Sequence, residues 1–108
     1  MKRISIVPAV ALLGALFIVL SPHTAGPRVV VRSYRFAPTT LSIRAGQAIT
    51  FDNVSRTTHT ATCADCGADT GDVQPGLTKT VTFGVRGTYH LTCRYHESLG
   101  MAMTVQVR

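Results

Sequence analysis

A thiol, an imidazole and a thioether fall within nine residues near the C-terminus, in the run Cys93-Arg-Tyr-His96-Glu-Ser-Leu-Gly-Met101. With a further imidazole at His59 they make up the donor set of copper electron-transfer sites. Cu(I) prefers soft ligands and Cu(II) prefers nitrogen and oxygen, and a plane of two His and one Cys with a weak axial Met suits both moderately. A second pair of sulfurs, Cys63-Ala-Asp-Cys66, follows His59. In an exported protein such a pair is first read as a local disulfide, leaving Cys93 as the odd thiol for a metal. A redox-active dithiol and a second metal site are the other readings.

Taken singly, each of these residues has an ordinary explanation: a lone Cys is most often a small buried hydrophobe and a lone Met a gap filler. Strand alternation separates the candidates. Along Gly87 to Cys93, Tyr89, Leu91 and Cys93 share one face and Thr88, His90 and Thr92 the other, so His90 points away from Cys93. In the last segment Met101, Met103, Val105 and Val107 fall together. Met101 is the first inward residue after the loop, and Met103, one step deeper, is expected in the core. Ile49, Phe51 and Asn53 share a face, which puts a polar Asn53 at the mouth of the core, where it should hydrogen-bond a neighbouring loop.

The elements that must hold these residues read as all-β. Strand candidates are residues 28–33, 41–44, 47–53, 58–63, 79–83, 87–93 and 101–107, short runs rich in Val, Ile, Thr, Phe and Tyr between turn residues such as Ala45-Gly46 and Arg86-Gly87. Such a set suggests a sandwich. No helix is expected, and residues 64–76, rich in Gly and Asp, read as a long surface loop.

The 108-residue chain is one domain's worth, and residues 1–26 look separate from it. Met1-Lys2-Arg3 precedes a stretch without charge, residues 4–20, and then Ser21-Pro22-His23. That is the layout of a signal peptide, or of an uncleaved N-terminal membrane anchor, and the domain is expected at 27–108, exported to the periplasm, the exterior or the outer membrane face. Without Lys2 and Arg3, nine basic residues face five acidic ones. The basic residues are scattered singly, which argues against nucleic acid and fits an acidic partner or a membrane surface. A domain this small gains from a metal or a disulfide.

From Phe36 to the C-terminus the chain resembles the cupredoxins, the small blue-copper family of plastocyanin, pseudoazurin and amicyanin. The matching pieces are Phe36-Ala-Pro38, Leu41-Ser-Ile-Arg-Ala-Gly46, Ile49-Thr-Phe-Asp-Asn53, His59, Asp69-Thr-Gly71, Gln74-Pro-Gly76, Phe83, Gly87-Thr-Tyr89 and Cys93-x-x-His96-x-x-x-x-Met101. The last spacing is similar to that of plastocyanins and pseudoazurins and longer than the amicyanin loop. The resemblance implies a Greek-key β-sandwich of about seven to eight strands holding one copper on His59, Cys93, His96 and axial Met101. It also implies that Asn53 ties the two ligand loops together and that Tyr89 is a tyrosine-corner residue. Two departures stand out: Tyr95 replaces the Pro that often precedes the second His, and Cys63 and Cys66 occupy a loop that usually has no cysteine.

The function so implied is an electron carrier rather than an enzyme, cycling Cu(II) and Cu(I) as a monomer. The alternative is copper delivery or storage with the same ligands. In the first case His59 is expected to be buried and His96 to reach the surface as the electron port, ringed by Tyr95 and Leu99. Arg94 is expected to attract a redox partner that is acidic at its contact face.

Overall fold

The computed structural model describes residues 26–108, so the expected leader lies outside the described residues except for Gly26. Seven strands form: β1 Arg28–Arg32, β2 Arg35–Ala37, β3 Thr40–Ile43, β4 Ala48–Asn53, β5 Thr78–Thr82, β6 Gly87–Thr92 and β7 Ala102–Val107. They make two sheets, ordered β2-β1-β4-β5 and β3-β7-β6. This is the expected all-β sandwich.

Alternation builds the core. Val29, Val31, Phe36, Ile49 and Phe51 point inward from the first sheet, and Ile43, Leu91, Met103, Val105 and Val107 from the second. The registers place Val29 beside Phe51 across the parallel β1–β4 pair, and Leu91 beside Met103 across the antiparallel β6–β7 pair. Phe36 and Phe51 meet edge to face at 6.4 Å. Full burial of a side chain like Phe51 contributes about 2–3 kcal/mol, and truncating it to Ala costs about 3–5 kcal/mol because a cavity remains. At the far end the Tyr89 hydroxyl donates to the Val85 carbonyl, and its ring packs on Phe83 at 5.2 Å.

Direction matters more than strand count. β1, β4 and β6 run toward one end of the sandwich, where β2, β5 and β7 begin. Asn53, Cys93 and Met101 all lie at or just beyond strand termini there, as does the β1–β2 turn.

Four elements differ from the sequence reading. Residues 58–63 form no continuous strand. His59, Thr60 and Ala61 are buried in succession, which a period of two cannot accommodate, and the segment pairs only through isolated bridges of His59 with Val73 and of Thr62 with Asp69 and Thr92. The expected surface loop 64–76 is in part structural, since Thr70 and Val73 are buried. Between His96 and Gly100 the chain makes one 3-10 turn, Glu97–Leu99, ended by Gly100 at φ 76°. Gly suits that left-handed position because it has no Cβ to clash. β2 went unpredicted because its three residues carry a single buried side chain, Phe36.

Candidate metal centre

His59, Cys93 and His96 converge at this end. The Cys93 sulfur lies 3.3 Å from His96 Nδ1 and 3.7 Å from His59 Nδ1, and the two imidazole centroids are 4.8 Å apart. Cys93 and His59 are fully buried, while His96 is half-buried. Met101 is buried beside them; its carbonyl accepts from Cys93 N–H at 3.2 Å, and its own N–H reaches the His96 carbonyl at 3.4 Å. His90 lies on the exposed face of β6, paired with Thr104, and Met103 is in the core.

Each ligand is held from behind. His59 follows a turn organised by Asn53, which is fully buried at the end of β4. Its amide donates to the carbonyls of Thr57 and Val73, both at 2.8 Å, and its oxygen accepts from the Ser55 N–H and hydroxyl. Asn53 therefore joins the His59 arm to the Val73 segment. The link to the Cys93 loop is Thr60, whose N–H donates to the Cys93 sulfur at 3.4 Å and whose hydroxyl accepts from Arg94 N–H at 3.0 Å. Thr57 Oγ1 engages His59 Nε2 at 3.0 Å, which leaves Nδ1 facing the sulfur.

Electrostatics favour a neutral ligand at the buried position. Burial holds His59 below its ordinary value of 6.5, and the neighbouring His96 adds to this. A neutral imidazole is the form that binds metal. A buried thiol between two imidazole nitrogens, beside a buried thioether, fits a copper that alternates between soft and borderline preferences.

Outside the ligands, two contacts pin the Cys93–His96 turn to the 63–76 segment. Arg94 Nη1 bonds Asp69 Oδ2 at 2.8 Å, and the Tyr95 hydroxyl donates to Asp72 Oδ1 at 2.6 Å. Burial nudges the Asp69 carboxyl upward, but hydrogen bonds from Gly71 N–H, Arg94 and Thr62 outweigh it and leave Asp69 below the usual range. The hydrogen bond to Asp72 raises Tyr95. Arg94 is thus paired within the chain. Tyr95 and Leu99 are both exposed, at 54% and 59%. The Cys63 and Cys66 sulfurs sit at bonding distance, 2.10 Å, and Cys93 is free.

Sequence reasoning did not find Thr60 or Tyr34. Tyr34 comes from the β1–β2 turn and presents its ring to His96 nearly perpendicularly, with centroids 4.8 Å apart. Its φ of 61° is unusual for a residue other than Gly. A left-handed Tyr costs on the order of 1–2 kcal/mol. Neither residue has a sequence signal, because each acts through contacts made only when distant segments close.

The cupredoxin-like domain model matches residues 9–105, and the chain belongs to that family. No curated protein matches it in sequence. Among solved structures it is similar to a purple cupredoxin from Nitrosopumilus maritimus, at 18% identity and a TM-score of 0.67 over 77% of this chain and 100% of that one. A reduced Cu(I) form of an amicyanin variant matches at 19% and 0.67, covering 83% of this chain and 86% of the other. A plastocyanin variant of fern matches at 21% and 0.64, covering 75% and 99%. At these identities the likeness is one of fold. The cofactor of the family is copper, and His59, Cys93, His96 and Met101 form a site suited to a single copper.

Proposed function

We propose that this chain is a mononuclear blue-copper electron carrier working outside the cytoplasmic membrane. One observation carries the proposal: the buried Cys93 sulfur lies between His59 and His96 at 3.7 and 3.3 Å, on a frame locked by Asn53 and Thr60. Bound copper supplies a one-electron couple. The chain supplies a donor set acceptable to both oxidation states and a rigid surround, so little has to move when the electron does. Met101 would hold the copper with His59, Cys93 and His96 as the softer, weaker donor, and half-buried His96 would be the exit to solvent. Export is supported by the leader-like layout of residues 1–26 and by the bonded Cys63–Cys66 pair, which suits an oxidising compartment.

The test is to add Cu(II) to the folded protein and record its visible spectrum and voltammogram. Intense thiolate-to-copper absorption, lost in Cys93→Ser and kept in the Cys63→Ser, Cys66→Ser double variant, with reversible cycling, is the expected result. A colourless complex that releases copper readily would overturn electron transfer in favour of copper carriage.

A further inference from the structure

The β1–β2 turn, which no motif singled out, forms a second wall of the site end. Arg32 and Arg35 are cross-strand neighbours that close this turn, with Ser33 and Tyr34 between them. Together with Val54 and Ser55 these residues line an open depression of about 490 Å³. Its walls are fixed: Val54 N–H bonds the Val31 carbonyl at 3.0 Å, and Ser55 is held by Asn53. Tyr34 belongs both to the depression and, through its ring, to the contact with His96.

The charge here has no internal counterpart among the described residues. Among the described residues the two ion pairs are Arg28 with Asp52 and Arg94 with Asp69. Asp72 and Glu97 are engaged by Tyr95 and Thr92. Arg32 and Arg35 are exposed with no carboxylate partner among the described residues. Around them Tyr34 and Val54 are exposed at 48% and 52%. Exposed Tyr and Arg beside an apolar side chain have the composition of a protein contact, where these types carry most of the binding energy. The left-handed Tyr34 adds a second reason, since backbone strain persists where the surroundings make use of it.

We infer that the Arg32–Arg35 depression is a docking surface for a protein segment bearing carboxylates, and that Tyr34 is the positioning residue coupling that surface to His96. Arg94, spent on Asp69, is not the steering charge. The surface stands on its own geometry; its service to electron transfer rests on the blue-copper proposal.

The experiment uses the full chain loaded with Cu(I), observed by NMR while a short polyglutamate peptide is added. Amide shifts are expected at Arg32 to Arg35 and Val54, with a shift of the His96 ring, all weakened by salt. The Arg32→Glu, Arg35→Glu double variant should lose them, and Arg86→Glu, at the far end of the sandwich, should keep them. In Tyr34→Gly the amide shifts should remain and the His96 shift should vanish, with the melting temperature unchanged or raised; a merely structural Tyr34 would lower it. Shifts that survive the double variant, or that inorganic phosphate reproduces at matched ionic strength, would overturn the docking surface. Oxidation of the Cu(I) protein by hexacyanoferrate(III) is the separate arm for electron transfer. The double variant should slow it roughly tenfold. Should the copper fail to cycle, the blue-copper proposal falls, and the peptide shifts still decide the surface.

Discussion

The Thr60 N–H donates to the Cys93 sulfur at 3.4 Å, so the residue following one ligand is bonded to another ligand 33 positions away. The same residue accepts the Arg94 N–H on its hydroxyl. Its two groups do different work, and the difference is measurable.

Thr60→Pro removes the N–H that offsets thiolate charge. That charge weighs more in the reduced site, so the reduction potential should fall by on the order of 60 mV, equivalent to a tenfold change for one electron. Thr60→Val keeps the N–H and strands Arg94 N–H. Its potential should stay near wild type while stability drops by about 1–2 kcal/mol. Voltammetry and urea unfolding of the two variants separate the roles, and equal potentials in both would remove the N–H from the account.

Asn53→Ala should be among the most destabilising substitutions at this end. It takes one donor each from the Thr57 and Val73 carbonyls and removes the acceptor of the Ser55 N–H and hydroxyl, leaving a gap where a fully buried side chain stood. A loss of about 2–4 kcal/mol is expected in denaturant unfolding. The His59 arm should loosen with it, seen as faster copper release.

Acid should weaken the metal-free protein through His59. Its folded value lies below the ordinary 6.5, so as pH falls the unfolded chain takes the proton first. Stability is therefore full above about 6.5 and declines as pH drops through that value toward the folded one. Urea midpoints measured from neutral to mildly acidic pH should show this slope, and His59→Gln should reduce it.

Much of the site was legible because it is local. Cys93, His96 and Met101 lie on one short segment, and alternation alone set Met101 ahead of Met103 and turned His90 away. Asn53 was legible as a polar residue ending an apolar row, but not its partners, since Val73 lies in a segment read as loop. Residues 58–63 misled because a Thr-rich run has β propensity whatever its side chains face. Tyr34, Thr60 and Asp72 were invisible for a shared reason: what each does for the site depends on a residue far away in sequence. Asp69 was legible within Asp69-Thr-Gly71, but its pairing with Arg94 was not.

Tyr95 should ionise later than an ordinary tyrosine because its hydroxyl donates to Asp72, the largest influence on it. Asp72→Asn should bring the titration down, as followed by ultraviolet absorption against pH. No change on substitution would mean that the hydroxyl is free in solution.

The ligands divide unevenly along the chain, with Cys93, His96 and Met101 on one short stretch and His59 arriving from a segment 34 residues before Cys93. In the unfolded chain Cys93, His96 and Met101 stay within nine residues of one another, whereas His59 joins them only once the sheets have closed. Order of assembly is therefore left open by the architecture: the metal can wait for the fold, or the fold can gather around the metal. Copper met early would travel with the chain, and the arrival of His59 would mark its maturation.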